Sequence, residues 1–215
     1  MTDEELHPGI QLLGEAALVF SVAPGLQAQQ RLWAACRWLQ QRHADVEWVL
    51  GMGNLTARFD PLVIKATRLE RALETAWAAS ADAVPAPGKQ VEIPVRYTGA
   101  DLAHVAEHAG LTVAEVIALH TSPDYTVFCL GFLPGFAYLG GLDERIACPR
   151  RAEPRLKVPA GAIGIAGSQT GIYPLASPGG WQLIGRTSLS LFDAAAATPA
   201  LLAPGDTVRF VEVTR

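Results

Sequence analysis

The sequence predicts an α+β chain in two parts, an α/β sandwich over residues 1–88 and a mainly-β barrel over 89–215. Three observations predict it. The first part alternates short β-type runs with two long amphipathic helical patterns. Beyond Thr121 helical periodicity nearly vanishes, and short apolar runs alternate with glycine and proline. Between the parts stands Pro85-Ala86-Pro87-Gly88, a sequence that interrupts any regular element.

Composition sets the bounds. Half of the 215 residues are hydrophobic and 18% are charged, enough apolar material for a packed core and too little charge for a disordered chain. A net charge of −4 disfavours binding of nucleic acid over the whole surface. The three cysteines, Cys36, Cys129 and Cys148, are too far apart for a CxxC pair; an odd, sparse count argues against a disulfide framework and fits a reducing cytoplasm. The opening residues are acidic where a signal peptide carries positive charge, and no apolar run approaches the roughly 18–20 residues of a membrane span. The expectation is a soluble cytoplasmic protein.

In the first part, the apolar run 16–22 reads as a strand broken by Pro24 and Gly25, with Pro24 suited to open the next helix. Leu32, Cys36 and Leu39 recur at helical spacing within a helix over 26–43. A second strand over 46–50 leads into the turn Gly51-Met52-Gly53-Asn54, whose residues accept positive φ at low cost. Leu55, Ala57 and Phe59 alternate with polar residues as a third strand. Asp60-Pro61 reads as a helix start, with Leu62, Leu69, Leu73 and Trp77 as its apolar face down to Ser80. Residues 91–97 form another strand, Pro94 favouring a sheet edge. The resulting order, βαββαβ, predicts a ferredoxin-like sandwich.

In the second part, helices over 101–109 and 113–120 join at Gly110, with Thr112 as N-cap of the second. The runs 125–130, 162–165, 181–184, 189–192 and 207–213 are the expected strands of a closed β structure.

Several groups are candidates for chemistry. The stretch GFLPGFAYLGG (131–141) combines dense glycine with Phe132, Phe136 and Tyr138, so it is either a tight loop packed on its own barrel or a flat apolar platform reached closely by backbone. GAIGIAGSQTG (161–171) matches neither a phosphate loop nor a dinucleotide fingerprint; its glycines suit strand bends, and Ser168, Gln169 and Thr170 follow where a barrel mouth carries binding groups. His104 and His108 share a helix face without a third ligand, so no metal site is assigned. His120, beside Asp124, is either a helix C-terminal cation or a proton carrier. Arg145, Arg150, Arg151, Arg155 and Lys157 form a basic segment. Trp181, Gln182 and Arg186 offer a wall, an amide and a guanidinium to a small planar acid.

Two segments carry a resemblance. HTSPDYTVFCLGFLPGFAYLGGLD and PRRAEPRLKVPAGAIGIAGSQTGIYPLASPGGWQLIGRT, with the closing PGDTVRF, resemble the family of 5-oxoprolinase B subunits, also called the KipI or allophanate hydrolase subunit 1 family. The match is dense over 120–187 and looser in the first part, where the Gly51–Asn54 turn departs from the family pattern. The resemblance implies a cyclophilin-like barrel for 89–215. It implies a hydrolase subunit that helps convert 5-oxo-L-proline to L-glutamate, with ATP as co-substrate. It also implies inactivity without two partners, a C subunit of homologous fold and a LamB/YcsF-type A subunit. The alternatives are a KipI-like inhibitor of a sensor histidine kinase and a component of an enzyme acting on allophanate or urea. No nucleotide motif is visible, so the ATP site is unassigned. The site residues expected are His120 and Arg186 as catalytic groups, with Phe136, Gln169, Tyr173, Trp181 and Gln182 holding substrate.

Overall fold

A computed structural model describes residues 8–23, 25–83 and 88–214 of the chain. Pro24 and the residues 85–87 of the expected break lie outside them. The chain divides into two compact units, Met1–Ala86 and Pro87–Arg215.

The first unit runs β1 (Gly9–Leu12), β2 (Ala17–Ser21), α1 (Leu26–Arg42), β3 (Glu47–Gly51), β4 (Asn54–Arg58) and α2 (Ala66–Ala79). The sheet order is β1-β2-β4-β3, and every neighbouring pair is antiparallel. Leu18, Phe20, Leu55 and Ala57 alternate inward along β2 and β4 and meet Leu32, Leu39, Leu69 and Leu73 of the helices in one core. Gln29, buried on α1, donates from Nε2 to Gly51 O (3.1 Å) and accepts from the Gly53 amide (2.9 Å), which holds the β3–β4 turn against the helix.

Two expectations are corrected here. The second helix begins at Ala66, not at Pro61: Asp60 Oδ1 accepts from the Leu62 amide at 2.9 Å and closes a local turn, leaving Leu62 and Val63 exposed rather than on the helix's apolar face. The strand expected over 91–97 does not complete the first sheet. The place beside β2 is taken by β1, a strand the sequence reading missed because only Ile10 of its four residues is turned inward.

The second unit begins with that displaced strand, β5 (Gln90–Val95), followed by α3 (Leu102–Ala109), α4 (Val113–Thr121), β6 (Tyr125–Leu130), β7 (Ala137–Gly140), a single 3₁₀ turn at Glu144–Ile146, β8 (Arg155–Val158), β9 (Ala162–Ala166), β10 (Gln169–Ile172), β11 (Ser177–Gly179), β12 (Gln182–Arg186) and β13 (Thr207–Glu212). Seven strands form one sheet in the order β12-β9-β10-β7-β6-β13-β5, and β5 lies parallel to β13 from Gln90↔Thr207 to Val95↔Glu212. The two outer strands meet again just past β5, where Arg96 and Arg186 exchange both backbone hydrogen bonds at 2.9 Å. The sheet is therefore a nearly closed barrel. Ile93, Val127, Leu139, Ile163, Ile165 and Phe210 fill its interior together with Leu102, Val105 and Val116 from the helices. The strand expected over 189–192 is reduced to one bridge, Phe192↔Ala200.

The helix punctuation is as the sequence implied. Gly110 ends α3 in the left-handed region, and Thr112 forms a reciprocal capping box with Glu115 at the start of α4. Among the described residues no single helix is long and apolar enough to cross a membrane.

Candidate functional site

A second, smaller apolar cluster lies apart from the barrel interior, built from Phe136, Val158, Ala162, Tyr173, Trp181 and Leu183. Phe136 is its hub. Its ring stands 5.5 Å from Trp181 at 88°, 5.4 Å from Tyr173 at 79° and 5.5 Å from Phe132 at 84°, all edge-to-face. Glycines permit this density. A Cβ on Gly171 would lie 3.0 Å from both the Phe136 and Trp181 rings, and one on Gly179 would lie 2.5 Å from the Tyr173 hydroxyl.

The cluster leaves a cavity of about 250 Å³, lined by Phe132, Phe136, Tyr138, Tyr173, Trp181, the 178–180 turn, Pro154 and Arg150. Phe132 is the one non-glycine residue among those described with positive φ, at 64°, and the residue is 58% exposed at the cavity edge. A bulky side chain in that region costs energy that the surrounding loop must supply, a cost that recurs at ligand sites. Arg150 is the only charged residue lining the cavity, its guanidinium 5.9 Å from the Trp181 ring centre. Burial pushes the Tyr138 and Tyr173 phenols up, opposed by Arg150, so both remain hydroxyl donors. The place is apolar, small and equipped with one cation.

Of the residues expected from sequence, Phe136, Tyr173 and Trp181 come together here. The other four stand elsewhere. Gln169 opens β10, paired with Ala166, and does not line the cavity. Gln182, the residue after Trp181, faces an adjoining groove of about 620 Å³ with His104, His108, Arg150 and Arg151. Its Nε2 donates to Pro149 O at 2.9 Å, which fixes the amide orientation and leaves Oε1 buried with no partner among the described residues. The His104 and His108 rings are 6.4 Å apart, and no group of three or more His, Cys, Asp or Glu suited to a metal occurs among the described residues.

Arg186 is corrected: it stands at the far end of β12 from Trp181, its Nε donating to Ala160 O at 3.2 Å, and the guanidinium at the aromatic cavity is that of Arg150 instead. His120 is corrected more sharply. It is fully buried inside the barrel, stacked on Phe210 with ring centres 4.5 Å apart. Thr170 donates its hydroxyl to Gly164 O (3.0 Å), so it must accept from His120 Nε2–H (3.0 Å), and Nδ1 then accepts from the Tyr97 hydroxyl (2.7 Å). Burial pushes its pKa down to about 3. A neutral, fully buried ring with both nitrogens engaged acts here as a strut of the core.

The sequence reading missed Asp101. This buried carboxylate accepts from Arg155 (2.6 Å) and Arg151 (3.2 Å) through Oδ1 and from the Leu183 amide (2.7 Å) through Oδ2, tying α3, the basic segment and β12 together. A lone aspartate before a helix reads as a cap, and nothing in its neighbours signals partners some fifty and eighty residues away.

With this geometry in place, comparison with known proteins is direct. Residues 8–202 match the family described as carboxyltransferase domain, subdomain C and D. The chain is 50% identical over 206 residues to the B subunit of 5-oxoprolinase from Escherichia coli O157:H7, covering 93% of this chain and 94% of that one. It is 48% identical over 222 residues to the B subunit of 5-oxoprolinase from Bacillus subtilis (strain 168), covering 95% and 92%. The K. lactis urea amidolyase shares the fold at a TM-score of 0.85 and 21% identity, over 100% of this chain but 15% of that one. The aromatic cavity is thus set in a barrel of known type, and the chain belongs to the carboxyltransferase subdomain C and D family, within its group of 5-oxoprolinase B subunits.

Proposed function

We propose that the chain works as the B subunit of an ATP-driven 5-oxoprolinase and that its aromatic cavity receives 5-oxo-L-proline. The observation that carries this reading is a small apolar box with a single guanidinium at its wall, in a chain half identical over nearly its whole length to a 5-oxoprolinase B subunit. A five-membered lactam presents flat apolar faces, one carboxylate, one amide carbonyl and one N–H. The aromatic edges receive the ring and Arg150 pairs with the carboxylate.

The need for ATP follows from the bond to be broken. A lactam carbonyl is resonance-stabilised and a poor electrophile. Phosphoryl transfer to its oxygen, with ADP leaving, makes the ring carbon electrophilic; water adds to that carbon, the ring nitrogen takes a proton and leaves as the C–N bond breaks, and the resulting acyl phosphate is hydrolysed by a second water to glutamate and inorganic phosphate. The chain has no nucleophile–base pair in the cavity and no metal cluster among the described residues. The reading therefore assigns completion of hydrolysis to two partners, a C subunit of homologous fold and an A subunit of LamB/YcsF type.

The test is reconstitution. The purified chain alone should release no glutamate from 5-oxoproline with ATP, and the assembly with both partners should. Robust turnover by the isolated chain, or an assembly that acts on urea or allophanate and not on 5-oxoproline, overturns the reading.

A further inference from the structure

The barrel closes on a charge conflict. Arg96 and Arg186 are direct cross-strand partners at the seam, both exposed, with side chains on the same face. Like charges opposite one another repel, and among the described residues neither guanidinium has a carboxylate partner: Arg186 makes one hydrogen bond, to Ala160 O, and Arg96 makes none. Two adjoining cavities open here. One, of about 320 Å³, is lined by Arg155, Lys157, Arg186, Thr98 and the apolar Pro159, Ala162 and Leu183. The other, of about 480 Å³, is lined by Arg96, Arg186, Thr98, Thr187 and Ser188. Thr98 and Arg186 line both, so the two adjoin across these side chains. Four cations and three hydroxyls line this groove, and no carboxylate does. Of these cations Asp101 neutralises only Arg155; Lys157 has no ion-pair partner among the described residues.

We propose that this seam groove binds the phosphate chain of a nucleoside triphosphate. A run of phosphates answers each feature. It supplies the missing counter-charge between Arg96 and Arg186, accepts from three hydroxyls, and extends through both cavities as a single phosphate or carboxylate cannot. Exposed Pro159, backed by the largely buried Ala162 and Leu183, gives a base an apolar edge to lie on. Leu183 and Ala162 also belong to the cluster that walls the aromatic cavity, so the two sites share one partition. The polyphosphate chemistry follows from the groove alone; its identification as the ATP of lactam activation rests on the function proposed above.

The test uses the full chain with tripolyphosphate and ATP as probes, by calorimetry and by amide shift mapping. Binding should perturb the amides of Thr98, Gly99, Thr187 and Ser188, weaken with added salt, and raise the melting temperature. Arg96→Ser with Arg186→Ser should weaken both probes at least tenfold, and Lys157→Glu should do so separately. The seam bonds are backbone to backbone, so the double variant should fold and, without anion, melt no lower than wild type. Unchanged affinity in both variants, or perturbation confined to Arg150 and the aromatic cavity, overturns the site. An assembly that hydrolyses ATP with 5-oxoproline at an unaltered KM for ATP in both variants also overturns the site while the function stands. Groove binding lost in the variants, with no lactam-dependent turnover in the wild-type assembly, keeps the site and overturns the function.

Discussion

Arg150 and His120 show how differently two polar residues can be placed by one fold. Arg150 is exposed, flanks the aromatic cavity and faces a ligand-sized space. On the function proposed above, Arg150→Ala removes one charge-assisted hydrogen bond to the substrate carboxylate, worth about 1.5–3 kcal/mol, so turnover of 5-oxoproline by the reconstituted assembly should fall roughly tenfold to a hundredfold without loss of fold; steady-state kinetics and circular dichroism check both halves. His120 acts on stability. Folded, its ring is held neutral with a pKa near 3, below the ordinary value of 6.5 that it regains on unfolding. Between those values the unfolded chain binds the extra proton. The stabilising effect is complete above about pH 6.5 and is lost as pH falls toward 3, with a slope of up to about 1.4 kcal/mol per pH unit. Urea midpoints measured from pH 7 to pH 5 should fall in the wild type and fall less in His120→Gln, whatever that variant's stability at pH 7; equal slopes refute the assignment.

At the scale of elements, Asp101 joins pieces that local sequence cannot connect. Its carboxylate is buried and holds two arginines and a strand amide. Asp101→Ala leaves the Leu183 amide without its acceptor and Arg155 without its carboxylate, and a loss of about 3 kcal/mol in unfolding free energy is expected from chemical denaturation. Gly179 supports the aromatic cavity in a comparable way. Gly179→Ala drives a methyl toward the Tyr173 hydroxyl, so, on the proposed function, affinity for 5-oxoproline should drop while the barrel core, a cluster separate from that of Tyr173, keeps its melting behaviour. Other local devices were legible in advance. The Thr112 N-cap, the Gly110 helix end and the Gly51–Asn54 turn all depend on residues within a few positions of each other.

At the scale of the molecule, the strand at 90–95 decides what is separable. Its hydrogen bonds go to β13, more than a hundred residues later, and none to the first sheet. A fragment of residues 88–215 contains all seven strands of the barrel and should fold cooperatively. A fragment of residues 99–215 lacks β5 and the Arg96 seam and should not. Dispersed amide spectra and a sharp thermal transition for the first alone would bear this out; a folded shorter fragment would show that the barrel does not need its parallel closing strand.

The sequence by itself determined the α+β class, the positions of α1, α3 and α4 and most of the buried strands, and it singled out Phe136, Tyr173 and Trp181, whose rings come together around the aromatic cavity. These follow from periodicity, caps and glycine spacing, which act over one or two turns of chain. It also carried the family motifs of 120–187. What only the tertiary structure decided was which sheet owned residues 90–95, which arginine reached the aromatic cavity, and whether His120 faced solvent or core. Each of those turns on contacts between residues far apart in the chain. A strand's pattern records which face is buried but not which neighbour it pairs with, and a basic run records charge but not direction. The first unit departs from the expected βαββαβ order, because β1 occupies the place beside β2 that the strand after α2 was expected to fill. Pairing with β13 along six residues and the return bridge at Arg96 hold that strand in the barrel instead.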